Sequence, residues 1–138
     1  MTAEPSMDEI DTILKHNMSI AIVGMSPKED SASRRVSKYL IKVGYKVFPV
    51  NPKYTDIFGI KSYSSILDIP DKIDIVDIFR KSEEVIKIVE DAIKKGVKVV
   101  WMQEGIVNDV AAKKALDAGI KVVMNKCMMK EHRRISRA

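Results

Sequence analysis

Three times the chain writes the same phrase, Gly-x-Lys-Val, and each time it ends a helical pattern and opens a short apolar run. Gly44-Tyr-Lys-Val, Gly96-Val-Lys-Val and Gly119-Ile-Lys-Val therefore mark helix-to-strand junctions, because glycine supplies the left-handed residue that closes a helix. Five runs are rich in β-branched residues: Ser19–Val23, Lys46–Val50, Ile73–Phe79, Lys98–Met102 and Lys121–Met124. Short runs that are apolar almost throughout suit parallel strands covered on both faces. Between them, Val36, Tyr39, Leu40 and Val43 fall on one helical face of 32–43, and Val85, Ile86, Val89, Ala92 and Ile93 do the same in 83–95. A third, alanine-rich helix is expected over 110–118. Ser82 and Asn108 read as N-caps, and Ser6-Met-Asp-Glu9 reads as a capping box that opens a helix near 7–16. Gly59-Ile-Lys begins like a fourth copy, but no strand-length run follows it, so it reads as a turn.

This alternation predicts one α/β domain over 1–138: a Rossmann-like, doubly wound, five-stranded parallel sheet with helices on both faces. The core is expected over about 19–127, followed by a basic tail at 128–138. Precedent among dinucleotide folds suggests the strand order 3-2-1-4-5. A chain of 138 residues has room for one such domain and no second one. One cysteine and two histidines are too few for an internal disulfide or a structural zinc site. No apolar run approaches the roughly 18 residues of a membrane span, and the N-terminus carries acids where a secretion signal needs bases. A cytoplasmic protein away from membranes is the expectation.

The formal charge of +5 is unevenly spread. Residues 1–23 carry −3, residues 24–54 carry +5, residues 55–125 carry −1 and residues 126–138 carry +4. Such a map favours a local anion site over a surface for nucleic acid. In open α/β sheets that site lies beyond the carboxyl ends of the strands. The loop Gly24-Met-Ser-Pro-Lys-Glu-Asp-Ser-Ala-Ser-Arg-Arg follows the first strand and enters a helix, whose start offers free amides to a phosphate. Gly24, Met25, Ser26, Ser33 and Arg34 are candidate contacts there. The loop lacks the G-x-G-x-x-G fingerprint, which needs glycines where Ser26 and Glu29 stand. The second strand ends in Asn51, Pro52 and Lys53 instead of the acid that holds an unphosphorylated ribose, which suits a ribose bearing a further phosphate. Phe79 and Arg80 end the third run, Gly105 and Ile106 follow the fourth, and Cys127 follows the fifth. Trp101 is expected in the core. Asp74 and Asp77 are expected to cap or bond neighbouring loops.

These residues resemble the CoA-binding proteins related to the CoA-binding domain of succinyl-CoA synthetase α-subunits and of ADP-forming acyl-CoA synthetases. The resemblance rests on Ile-Val-Gly-Met-Ser-Pro, Val-Asn-Pro-Lys-Tyr, Val-Asp-Ile-Phe-Arg, Trp-Met-Gln-Glu-Gly-Ile and Met-Asn-Lys-Cys-Met, and it covers roughly residues 19–132. It implies a stand-alone module that binds coenzyme A or acyl-CoA. Gly24, Met25, Ser26 and Arg34 would hold the phosphates. Asn51, Pro52 and Lys53 would line the side of the adenosine 3′-phosphate, with Phe79 and Arg80 opposite, and Gly105 and Ile106 would flank the pantetheine arm. From its own position, Cys127 reads either as a small buried hydrophobe or as a thiol lying near that of CoA, where Lys126 would favour the thiolate. Ligase chemistry does not carry over, because the phosphohistidine and grasp domains have no counterpart in a chain of this length. A separate acyl-CoA enzyme is an expected partner. An NADP-type or acyl-transfer enzyme using the same cleft and a basic nucleic-acid regulator remain the alternative readings.

Overall fold

The computed structural model describes residues 5–136. Its strands are β1 (Ser19–Val23), β2 (Lys46–Val50), β3 (Asp56–Ile57), β4 (Ile60–Lys61), β5 (Ile75–Ile78), β6 (Val99–Met102) and β7 (Lys121–Val123). Its α-helices are α1 (Met7–His16), α2 (Ala32–Lys42), α3 (Val85–Lys95), α4 (Asp109–Asp117) and α5 (Met128–Ser136), with 3-10 turns at Ile66–Asp68 and Ser82–Glu84. The five long strands form one parallel sheet in the order β2-β1-β5-β6-β7.

That order corrects the expected 3-2-1-4-5: counted among the long strands alone, it reads 2-1-3-4-5. After β2 the chain makes only the small antiparallel hairpin β3–β4, turned by Phe58 and Gly59 at φ 55° and 76°. It then touches β2 through one parallel bridge, Val50 to Tyr63. The place beside β2 is thus held by a single bridge, and the next long strand pairs on the far side of β1. Polar and turn residues break the segment 54–72 too often for a further strand to form.

Alternate residues of each strand feed two cores. Ala21, Val23, Val50, Val76, Ile78, Val100 and Met102 pack under α3, α4 and the first 3-10 turn. Ile20, Ile22, Ile75, Val99, Trp101 and Val123 pack under α1, α2 and α5. Trp101 is fully buried, and its Nε1 donates to the Lys126 carbonyl at 2.8 Å. Gly96 adopts φ 82° at the end of α3, and its amide donates to the carbonyls of Ala92 and Ile93. Ser6 and Glu9 cap one another across the start of α1.

Two local expectations change. Ser82 does not cap α3; it begins the 3-10 turn, its hydroxyl accepts from the Val107 amide and its carbonyl accepts from Asn108 Nδ2. The third run is a strand only over Ile75–Ile78, because Asp74 turns aside to accept the amides of Met18 and Ser19 at 3.0 and 3.3 Å. The Asp77 side chain bonds no loop: it is fully buried and neither carboxylate oxygen has a partner among the described residues. Burial holds its acid well above the usual carboxylate range. The residues expected as a basic tail form α5 instead, docked through Tyr39 Oη to His132 Nδ1 at 2.6 Å and Arg134 to Asp11 at 2.6 Å. Residues 137–138, the end of that segment, lie outside the described residues.

Candidate functional site

All five long strands point their carboxyl ends toward one edge, where the loops after β1, β2, β5, β6 and β7 gather. Two cavities open there, of about 300 Å³ and about 350 Å³, and Arg80 lines both. The first lies over the ends of β1 and β2, among Gly24, Asn51, Pro52, Ser64, Glu84 and Lys87. The second lies over the start of α2 and the ends of β5 and β6, among Arg35, Phe79, Lys81, Gln103, Ile106 and Cys127.

Gly24 joins the two halves. It sits at φ 87°, and a Cβ built on it would meet the Phe79 carbonyl oxygen at 2.6 Å and Arg80 Cδ at 2.8 Å. A glycine is therefore required for the β1 loop to cross the end of β5, and the close approach is to protein backbone. Asn51 is nearly buried and ties two loops together: its Nδ2 donates to the Met25 carbonyl at 2.9 Å, and its Oδ1 accepts the Lys53 amide at 3.0 Å. The helix that follows Gly24 is left open at its start. Ser31 is the N-cap of α2, yet its side chain caps no amide and bonds Ser33 Oγ at 2.7 Å instead. Ser33 Oγ in turn accepts the Ser26 amide at 2.9 Å. No acid lies in the first turn of α2, whereas Arg34 and Arg35 do. Cations at that end oppose the helix dipole, and an anion over the free amides would reverse the sign of the interaction.

The expected contacts divide accordingly. Gly24, Asn51, Pro52 and Arg80 come together around the first cavity, and Phe79, Arg80, Ile106 and Cys127 around the second. Met25 is fully buried in the core, so only its backbone faces the loop. Ser26 and Ser33 hold the loop in shape through one another. Arg34 donates to the Pro27 carbonyl at 2.6 Å and lies over the Phe58 ring, and it lines neither cavity. Lys53 and Gly105 are exposed and line neither. Gly105 instead donates its amide to Asn125 Oδ1 at 2.7 Å, which pins the β6 loop to the β7 loop. Gln103 Oε1 accepts the Met128 amide at 3.0 Å, so β6 also sets the start of α5 beside Cys127.

Sequence reasoning placed Arg35 in the basic loop but passed over it as a contact in favour of Arg34. One residue is about 100° on a helix, and nothing in the sequence says which arginine the loop will consume. It also missed Ser64, Glu84, Lys87, Gln103 and Lys130, which line the cavities. Arg80 pairs with Glu84 at 2.7 Å across the turn that leads into α3. That pairing holds the Glu84 carboxyl below the usual range. Among the described residues no cluster of His, Cys, Asp and Glu could hold a metal ion, and no helix is long and apolar enough to cross a membrane.

A profile of the CoA binding domain family matches residues 18–133. The uncharacterized protein YneT of Bacillus subtilis is 38% identical over 128 residues, 93% of this chain and 95% of its own. An ADP-forming acetate–CoA ligase of Methanocaldococcus jannaschii is 41% identical over 85 residues, which are 62% of this chain but 12% of that enzyme. Among solved structures, a hypothetical protein from Pyrococcus horikoshii superposes with a TM-score of 0.94 at 47% identity, over 99% of this chain and 98% of that one. The dinucleotide-forming acetyl-coenzyme A synthetase 1 of Ca. Korarchaeum cryptofilum superposes with a TM-score of 0.70 at 28% identity, over 78% of this chain and 25% of that one. The likeness to these long synthetases thus covers one part of them, while the likeness to the short proteins runs end to end. The chain belongs to the CoA-binding domain family.

Proposed function

We propose that this chain binds coenzyme A, free or acylated, along the carboxyl edge of its sheet, as a module without ligase chemistry of its own. The observation that carries this reading is the pair of cavities joined at Arg80 and flanked by the uncapped start of α2, in a chain of this family. Together the cavities fall within the roughly 300–1,000 Å³ range of small-molecule sites. In this reading the adenosine lies in the first cavity by Asn51 and Pro52, with Lys53 at its rim meeting the 3′-phosphate. The diphosphate lies over the amides of Ala32 and Ser33, between Arg35 and Arg80. The pantetheine arm runs through the second cavity past Phe79 and Ile106, and its thiol ends near Cys127. A separate acyl-CoA enzyme would supply or consume the acyl group.

Calorimetry with CoA, dephospho-CoA, NADP and NAD tests the reading. CoA is expected to bind tightest, and loss of its 3′-phosphate or the change Lys53→Ala to weaken it about tenfold, the scale of one charge-assisted contact. NADP binding as well as CoA would overturn the assignment in favour of a dinucleotide enzyme. The position of Cys127 has its own test. Exchange with CoA disulfide would join the Cys127 sulfur to one CoA and release the other as its thiol. Intact mass spectrometry should show that adduct in the wild type and lose it in Cys127→Ser.

A further inference from the structure

Both side-chain cations that line the first cavity already hold a carboxylate four residues further along the chain. Arg80 Nη2 meets Glu84 Oε1 at 2.7 Å, and Lys87 Nζ meets Asp91 Oδ1 at 2.7 Å. Asp91 lies outside the cavity, but Glu84 is part of its wall. The wall of the first cavity therefore carries a carboxylate on the very arginine that lines both cavities. The stem of that arginine lies against Gly24, so its guanidinium cannot retreat far from the loop after β1. The Glu84 side chain stands on the 3-10 turn ahead of α3, and its only side-chain partner among the described residues is Arg80.

We propose that Glu84 is an internal latch, a carboxylate that occupies Arg80 in the free protein and must yield it to a ligand phosphate. Its role is to set how tightly the site holds CoA, and the proposal rests on the CoA reading above. A guanidinium fork pairs with a phosphate through two parallel hydrogen bonds, so the phosphate wins the exchange, but at the loss of the resident pair. The site then binds its ligand more weakly than its cations alone would allow, which suits a module that must release CoA to another protein.

The test is CoA calorimetry at about 0.15 M salt, where longer-range repulsion is largely screened, on wild type, Glu84→Gln, Arg80→Gln and the double variant. Glu84→Gln is expected to bind CoA about two- to fivefold more tightly, the scale of a single exposed pair. In the Arg80→Gln background the same change is expected to alter affinity less than about twofold, since the coupling of a close pair disappears with either partner. Unchanged or weaker binding by Glu84→Gln, or an undiminished gain without Arg80, overturns the latch. The Glu84 carboxyl, followed by carbon NMR in the free protein, should titrate below the ordinary glutamate range and return to it in Arg80→Gln. A wild type that ignores CoA would overturn both readings and is told apart from failure of the latch alone, in which the wild type still binds CoA and only the Glu84→Gln gain is missing.

Discussion

The starts of α1 and α2 solve the same problem in opposite ways. Both helices leave amides without intrahelical partners. At α1 the sequence satisfies them: Ser6 Oγ accepts the Glu9 amide, Glu9 reaches back to Ser6, and Asp8 and Glu9 complement the dipole. At α2 the serine that should cap turns to another serine, and arginines stand where acids would stabilise. A helix that serves only packing closes its own end. In the CoA reading proposed above, the open start of α2 is left for the ligand to close, and the free protein carries the cost.

Gly24→Ala should break the α2 side most severely. A left-handed alanine with its Cβ in the Phe79 carbonyl combines backbone strain with overpacking, about 3 kcal/mol or more, and CoA binding should vanish. Thermal melting and calorimetry would check both effects. Asp77→Val should act in the other direction. Removing a buried carboxyl without partners is expected to stabilise the fold by about 1–3 kcal/mol in urea melts at neutral pH. The sign with pH follows from the raised folded pKa. The unfolded chain releases this proton above about pH 4, so the penalty appears as pH rises through that value and grows toward the folded pKa. The part of the Asp77→Val gain that comes from the raised pKa should therefore disappear below about pH 4, leaving the part due to an unpaired neutral carboxyl.

Much of this was legible before any coordinates. The Gly-x-Lys-Val phrases marked the ends of α2, α3 and α4, and the apolar runs marked the five long strands, because both signals are local. The order of the strands was not legible, since one bridge at Tyr63 decides whether a further strand exists beside β2. The fate of Asp77 was hidden for the same reason: alternation in a strand says which face a residue takes, but not whether a partner waits there. At the site, the loops could be named from topology, while the choice between Arg34 and Arg35 depended on a carbonyl at Pro27 and a ring at Phe58.

Two smaller changes sharpen the contrast between the helix starts. Ser6→Ala should cost about 1 kcal/mol of stability in denaturant melts and leave CoA affinity unchanged, since it opens only the packing helix. Arg35→Glu should make α2 begin as α1 does. The helix should gain roughly 0.3–1 kcal/mol, or hold level, while CoA affinity falls about tenfold. Stability and binding would then move in opposite directions at one residue.

The most direct test of the central claim is an amide NMR titration with CoA. The account predicts that the first-turn amides of α2, at Ala32, Ser33 and Arg34, shift strongly together with Gly24 and the loop after β5. The amides of Asp8 and Glu9 at the start of α1 should stay where they are. Saturable binding that leaves the α2 amides unmoved would contradict it.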